Sequence, residues 1–473
     1  LARTGIGKLL VHSLRFDLRA APFLMTLRDY QQDLFDRIDG AFKRGVRNPL
    51  VVSPTGSGKT VLFCYIANRI QQAGTRAVIL VHRKELVTQT SNTLRSFGIP
   101  HGIIQSGITP DPLKLIQIAM VQTLSRRLAS VAIPNLIICD EAHHMAAGEY
   151  RKIVTAFPKA HVVGFTATPQ RLDGKGLSDF FSEILMGPAV EWLMSEGHLS
   201  RPKYYAPPMV ADMRGVKKRM GDYASADAAA AMDKATITGD AVKHYLKICP
   251  NVPAVGFCVT VAHAQHVAEQ FNANGIPSGT IHASMHPDAR KKIVRDLGDG
   301  TIKVLTSCDI ISEGFDLPIV GAAILLRPTT SLGLHLQQIG RVLRPCPGKD
   351  HSTILDHVGN LSRHGLAEDE REWSLQGQDK KASKSEPLGL KQCRKCFAMF
   401  KPSPECPECG AAIPQPKARK LSVVEGNLEE FKRVPIKEAV AACKSRHDLA
   451  ILGKAKGFKP GWAWHVSREL NLT

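Results

Sequence analysis

A short apolar run, Leu50-Val51-Val52, leads into Ser53-Pro54-Thr55-Gly56-Ser57-Gly58-Lys59-Thr60 and then into a helical apolar pattern. This order constrains the fold strongly, because it requires a buried strand, a tight loop and a helix whose first turn lies at that loop. Glycines at 56 and 58 let successive backbone N–H groups turn toward an anion, Lys59 adds a positive charge, and the Thr60 hydroxyl can ligate Mg²⁺. Thr55, Gly56, Ser57, Gly58, Lys59 and Thr60 are therefore expected to cradle the phosphates of a nucleotide. A glycine turn that holds no nucleotide is the plainer alternative, and the strand and helix on either side speak against it.

The same strand and helix alternation continues along the chain. Apolar runs at Ala77–His82, Ile116–Met120, Leu136–Asp140 and Val162–Thr166 predict a parallel sheet wrapped by helices, and a second series at Ala254–Val259, Ser278–His282, Lys303–Ser307 and Ala322–Leu326 predicts another. The fold class expected is α/β, with two tandem parallel-sheet lobes over 25–178 and 241–365. Between them, 179–240 is more polar and reads as a small helical connection. Residues 366–387 are rich in Lys, Ser and Gln and read as a linker, 388–413 hold a cysteine cluster, and 414–473 read as a basic, mostly helical end domain. The first 24 residues are set apart as an unstructured upstream extension, with the folded chain expected to start at Met25.

Two carboxylates, Asp140 and Glu141, end the run Asn135–Cys139, at the carboxyl end of a buried strand where α/β proteins place their ligands. Asp140 is expected to hold Mg²⁺ through water, and Glu141 to orient and deprotonate an attacking water. His143 follows as the expected link to Thr166-Ala167-Thr168, with a metal site beside His144 as the alternative. In the second series, Gln337-Gln338-Ile339-Gly340-Arg341-Val342-Leu343-Arg344 puts two arginines three apart on one helical face. Arg341 and Arg344 are candidate arginine fingers, groups worth roughly 10³ to 10⁵ in rate where dissected, and Gln337 joins them as a candidate catalytic residue.

Together these residues resemble the DEAD/DEAH-type superfamily 2 helicases from Leu27 to about Asp356. The resemblance implies two RecA-like lobes that hydrolyse ATP between them. It makes Leu27-Arg28-Asp29-Tyr30-Gln31 an adenine-reading segment, with Gln31 on the base and Arg28 beside it. It places Arg83, Gln122 and Thr123 on the nucleic acid from the first lobe, and Thr260 and Thr306 from the second. Gly314 and Asp316 would face the nucleotide, and Thr166 and Thr168 would couple hydrolysis to lobe movement. Gln338 stands where RNA-processing DEAH enzymes carry Arg, and no cysteine cluster interrupts the first lobe as in iron-sulfur helicases. The chain looks most like RadD-type DNA-repair helicases of bacteria and phages, which follow the two lobes with a zinc module.

Composition adds the partner and the metal. Net charge is +19, from 62 Lys and Arg against 43 Asp and Glu, which favours a polyanion. The stretch from Lys380 to Thr473 supplies +10 of that, with 19 basic and 9 acidic residues. Eleven cysteines do not form an even secreted framework, and a reducing cytoplasm, bacterial or phage-infected, fits best. Four cluster as Cys393-x-x-Cys396 and Cys406-x-x-Cys409, the spacing of a structural Zn²⁺ site, with a redox pair as the rival. Trp462 and Trp464, among Lys454, Lys456 and Lys459, suit either base stacking or a small core. DNA is favoured over RNA, with a single-strand-binding or recombination protein as a further candidate partner. The alternatives kept open are a restriction or defence motor subunit, an annealing or remodelling factor, and an RNA helicase.

Overall fold

The computed structural model describes residues 26–145, 148–170, 176–206, 218–219, 222–224, 228, 235–308, 317–376, 389–413, 436–459 and 461–472. Gly314 and Asp316 lie outside the described residues, as do the first 24 residues, part of the expected 179–240 connection and residues 377–387 of the expected linker. The chain divides into a large unit, 1–414, and a small one, 415–473.

In the first lobe, β1 (Pro49–Val52), β2 (Ala77–Val81), β3 (His101–Ile104), β4 (Ile116–Met120), β5 (Leu136–Cys139), β6 (His161–Thr166) and β7 (Glu183–Met186) form one sheet in the order β3-β4-β2-β5-β6-β1-β7. Every pairing is parallel. β1, β2 and β5 are buried along their whole length, which is why they read as unbroken apolar runs. Successive side chains still alternate faces. Val51, Ile79 and Ile138 pack with Phe63 and Ile66 of helix Lys59–Gln72, while Leu50, Val78 and Ile137 pack with Tyr150 and Ile153 on the other side. This order sets β1, β6 and β5 side by side, so the loop after β1 and the carboxylates after β5 share one end of the sheet.

The second lobe is assembled differently. β8 (Pro202–Tyr205) precedes a small β9 (Lys218–Arg219) and β10 (Asp222–Tyr223) ladder; then come β11 (Ala254–Phe257), β12 (Ser278–Ile281), β13 (Val304–Ser307), β14 (Ala322–Leu325) and β15 (Ser352–Asp356). β16 (Lys391–Gln392) and β17 (Ala398–Phe400) complete an eight-stranded sheet in the order β12-β13-β11-β14-β15-β8-β17-β16. The last two pairings, β8 with β17 and β17 with β16, are antiparallel. The expected helical connection over 179–240 thus lends a strand to each lobe: β7 to the first and β8 to the second.

The expected linker also has a structured beginning. Leu366 and Ala367 lie in the second lobe's core, whereas Trp373 and Leu375 pack against the first lobe's Leu177 cluster. Leu177 N and Ser178 N both donate to Leu375 O, at 2.7 and 3.0 Å, so residues 366–376 cross from one lobe to the other. Arg371 holds this strap's turn by donating to the carbonyls of His364, Leu366, Ala367 and Asp369.

Among its described residues the small unit has three helices, Ile436–Ala441, Arg446–Lys456 and Trp462–Glu469. Ser445 and Asp448 form a capping box that starts the second. Trp462 packs on Phe458, ring centroids 4.6 Å apart, and a Cβ on Gly453 would lie 2.9 Å from the Trp462 ring. Trp462 therefore serves this unit's core, while Trp464 is 41% exposed. No helix among the described residues is long and apolar enough to cross a membrane.

Candidate nucleotide site between the lobes

The loop after β1 reverses through Gly56 and Gly58, at φ +88° and +80°, a backbone region that side chains oppose. Helix Lys59–Gln72 then starts from Gly58 with no side-chain cap, leaving its first N–H groups directed at the loop. Ser53 and Ser57 brace the loop with hydroxyls 2.7 Å apart, and Lys59 Nζ donates to Ser53 O and Pro54 O at 2.9 and 3.0 Å. Burial holds the Lys59 ammonium below its ordinary pKa; Glu141 and Asp140 pull it up, and Arg341 and Arg344 push it down. Two carboxylates of the first lobe and two arginines of the second thus act on this one ammonium.

Behind the loop, Gln31 Nε2 donates to Gly58 O at 3.2 Å and Gln31 Oε1 accepts from Arg28 N at 3.1 Å. Gln31, expected to read a base, is here engaged with the loop itself. Tyr30, which sequence reasoning did not single out, donates its hydroxyl to Ser57 O at 2.9 Å.

Across the sheet end, Asp140 is 6% exposed and its Oδ1 accepts the backbone N–H of Glu141 at 3.0 Å. Glu141 takes φ +47°, a left-handed conformation that costs on the order of 1 kcal/mol or more for a residue with a side chain. That twist aims its carboxylate toward His143, whose Nδ1 lies 3.4 Å from Glu141 Oε2 and 3.1 Å from Thr166 Oγ1. Thr166 Oγ1 then donates to Thr168 O at 2.8 Å. A continuous polar path therefore runs from Glu141 to Thr168, along the residues expected to link hydrolysis to movement.

The second lobe closes on this site through helix Leu332–Val342, whose N-cap Ser331 accepts from Leu334 N. A Cβ on Gly340 would lie 2.6 Å from Thr55 Cβ, and one on Gly333 would lie 2.9 Å from Thr168 Oγ1. Only glycine permits an approach this close, and neither position stood out in the sequence. Arg341 and Gln337 are buried within this helix, whereas Arg344 lies two residues past its end at Val342, so the two arginines do not share a helical face as expected; Arg344 Cγ would lie 3.8 Å from a Cβ on Gly56. The sequence-predicted loop, carboxylates and arginines are thus brought together, Thr60 included at the head of its helix.

The residues expected on nucleic acid separate. Arg83 follows β2 and Gln122 and Thr123 follow β4, which are neighbouring strands, and exposed Gln122 donates to His82 O at 3.5 Å. Thr260 follows β11, where its hydroxyl caps helix Val261–Ala273 by accepting from His263 N at 3.1 Å. Thr306 is a correction: it is 0% exposed within β13, and its hydroxyl donates to Ala264 O at 2.8 Å and meets Thr280 Oγ1 at 2.7 Å. A strand residue that faces the core has no surface to offer a ligand. Near this face, Arg290 of helix Pro287–Gly298 bridges to Glu85 of the first lobe at 2.8 Å.

The four clustered cysteines meet. Their sulfurs all lie within 4.8 Å of one another, with Cys393–Cys409 and Cys396–Cys406 at 3.6 Å. A tetrahedron of thiolates about 2.3 Å from Zn²⁺ separates sulfurs by about 3.8 Å, so the set fits that ion. Both knuckles share one backbone plan: Phe397 N donates to Cys393 O and Gly410 N to Cys406 O, each at 2.9 Å, with φ +63° and +66°. The backbone N–H groups of Cys396 and Lys395 pull the Cys393 thiol down to about 6, while burial pushes the Cys396 and Cys406 thiols up, so the fit to the ion rests on the sulfur geometry. Lys203 ties the module to β8 through Glu408 at 2.7 Å.

Comparison with known proteins agrees with this geometry. Two family profiles match: "Type III restriction enzyme, res subunit" over residues 24–171 and "Helicase conserved C-terminal domain" over 240–346. A 51.5 kDa protein of a Lactococcus phage is 34% identical over 391 residues, 82% of this chain and 83% of its own. A Saccharomyces cerevisiae protein, IRC3, provisionally named an ATP-dependent helicase, is 33% identical over 360 residues, 71% of this chain and 52% of its own, so the match spans about half of that relative. A Vibrio vulnificus structure, assigned provisionally as a type I restriction HsdR subunit, shares the fold at TM-score 0.57 and 21% identity, covering 73% of this chain and 68% of that one. With two RecA-like lobes closing on a phosphate loop, paired carboxylates and two arginines, the chain belongs to the superfamily 2 helicases, enzymes that hydrolyse ATP.

Proposed function

We propose that this chain is an ATP-driven translocase on DNA, of the RadD-like repair or recombination type. The observation that supports the ATP-driven part of this reading is the fit of Gly340 against Thr55, with Arg344 Cγ near Gly56 of the phosphate loop, and the choice of DNA and of the RadD-like type rests on the resemblance together with the four-cysteine module. ATP would be held by the loop N–H groups, Lys59 and Thr60, with Arg28 and Gln31 on the base side. Mg²⁺, where bound, would sit at Thr60 and Asp140 and neutralise phosphate charge. Glu141 would take the proton of the attacking water, and the two guanidiniums would meet charge building on the transferred phosphoryl group. Loss of that charge would reopen the cleft, with the path through His143, Thr166 and Thr168 passing the change to Gly333 of the second lobe. Because both lobes would also grip the strand, each cycle would advance one grip relative to the other.

The test is steady-state ATP hydrolysis with single-stranded, duplex and forked DNA and with RNA, at one fixed salt concentration, since a basic footprint loses affinity steeply with salt. Stimulation by DNA and not by RNA is expected. Stimulation by RNA alone would overturn the DNA assignment. Stimulation only after co-purification with a nuclease subunit would favour a restriction or defence motor.

A further inference from the structure

The arginine helix ends in an unusual way. After Val342 the chain passes through Leu343, Arg344, Pro345, Cys346, Pro347 and Gly348, and turns at Gly348, φ +78°, so that Lys349 folds back over the helix end. Two prolines forbid a longer helix, and Lys349 N closes the turn on Cys346 O at 3.0 Å. The ammonium of Lys349 then donates to Arg344 O at 2.7 Å, to Val342 O, to Val320 O at 2.8 Å and to Pro318 O at 3.4 Å. Ser352 Oγ also donates to Val342 O, and Ser200 N to Leu343 O at 2.7 Å, so every carbonyl from 342 to 344 has a donor.

We infer that Lys349 is a positioning residue for ATP hydrolysis: its ammonium clamps the end of the arginine helix to the 318–320 segment and thereby fixes Arg344 over the phosphate loop. Three observations support it. First, the contacts are to the carbonyl of Arg344 itself and to the last turn of the helix bearing Arg341, where a cation also meets the negative end of the helix dipole. Second, Pro318 and Val320 belong to a different stretch of chain from the helix, so one side chain ties the helix end to a second segment. Third, the ammonium sits among four carbonyls in a partly buried place, where burial lowers its pKa to about 8. Arg344 is half-buried and carries its charge at the end of a long flexible stem, so an unclamped backbone at 344 would spread the guanidinium over many positions.

This inference rests on the reading of Arg344 as a finger, and the experiment separates the two. Purified Lys349→Met, Lys349→Arg and Arg344→Ala would be compared with the natural chain for kcat, KM for ATP and melting temperature. Lys349→Met is expected to lower kcat at least tenfold with KM within twofold, and Lys349→Arg, which keeps a multi-donor cation, to recover most of it. Wild-type kcat in Lys349→Met, beside a large loss in Arg344→Ala, would overturn the clamp and leave the finger standing. Wild-type kcat in Arg344→Ala would overturn the finger, and with it this role for Lys349. If Lys349→Met does not fold, the clamp is judged on Lys349→Gln, measured on monodisperse protein with a cooperative melt. There too an unchanged kcat would overturn it.

Discussion

The two sheets of this molecule are built on different plans. The first takes seven parallel strands from one continuous stretch, Pro49 to Met186. The second takes five strands from Ala254 to Asp356 and then borrows β8 from before them and β17 and β16 from after them. The first sheet is complete in itself and carries the phosphate loop and both carboxylates. The second is completed by its neighbours in sequence, and the cysteine knuckles hold the hairpin that covers its edge. An exposed strand edge invites pairing with another chain, and a hairpin that brings four cysteine sulfurs within 4.8 Å of one another covers that edge. The comparison teaches that the cysteine module is the last part of the second lobe's sheet and not an appendage after it.

The sharpest break comes at the chemistry. Arg341→Ala, in the second lobe, should lower kcat roughly 10³-fold or more, as removal of an arginine finger does elsewhere. Lys59→Ala, in the first, should abolish turnover. Either variant should shift the melting temperature by only a few degrees, since Lys59 bonds two loop carbonyls and Arg341 is buried but the apolar cores of both sheets stay intact. Hydrolysis assays paired with thermal denaturation would check this. A parallel fall of activity and stability in either variant would mean that the lobes are not chemically divided as described.

Loss of Zn²⁺, where the four cysteines hold it, should be next in size and should act on one lobe. Structural Zn²⁺ contributes on the order of 10 kcal/mol to small domains of this kind. Cys406→Ser, or treatment of the full chain with a strong chelator, should therefore free β17 and expose β8. Hydrogen exchange should rise at Tyr204 and Tyr205, whose strand pairs with β17, and stay unchanged at Leu50 to Val52 in β1. Uniform loss of protection in both sheets would contradict the division.

The same contrast explains what could be read from the chain in advance. β1, β2, β4, β5 and β6 are buried on both faces, so each shows as an apolar run that needs no partner to be recognised. β7 and β8 are edge or late-joining strands with mixed exposure, and Lys203-Tyr204-Tyr205 carries no signal of the strand it will meet at Ala398 to Phe400. The loop, Asp140, Glu141 and the arginines were legible because their chemistry requires particular residue types in a fixed order. Thr306 was misplaced because a motif gives a residue's position along a strand but not the face its hydroxyl takes. Gly333 and Gly340 matter only through what lies opposite them, on another lobe. Trp373 and Leu375 likewise look like linker residues until the surface at Leu177 is present.

The smallest expected effect lies where the lobes meet away from the nucleotide, at Arg290 and Glu85. Their 2.8 Å ion pair joins helix Pro287–Gly298 of the second lobe to the start of helix Lys84–Ser96 of the first. The side chains are 22% and 36% exposed, so water and salt screen the charges, and pairs of this kind contribute about 0.2 to 1 kcal/mol. A double-mutant cycle with Arg290→Ala and Glu85→Ala, read by chemical denaturation, should give a coupling energy in that range. The coupling should fade as ionic strength approaches 1 M, where the screening length falls to about 3 Å. A coupling several times larger that persists in high salt would mean that this pair, and not the nucleotide cleft and the 366–376 strap, dominates the contact between two lobes built on different plans.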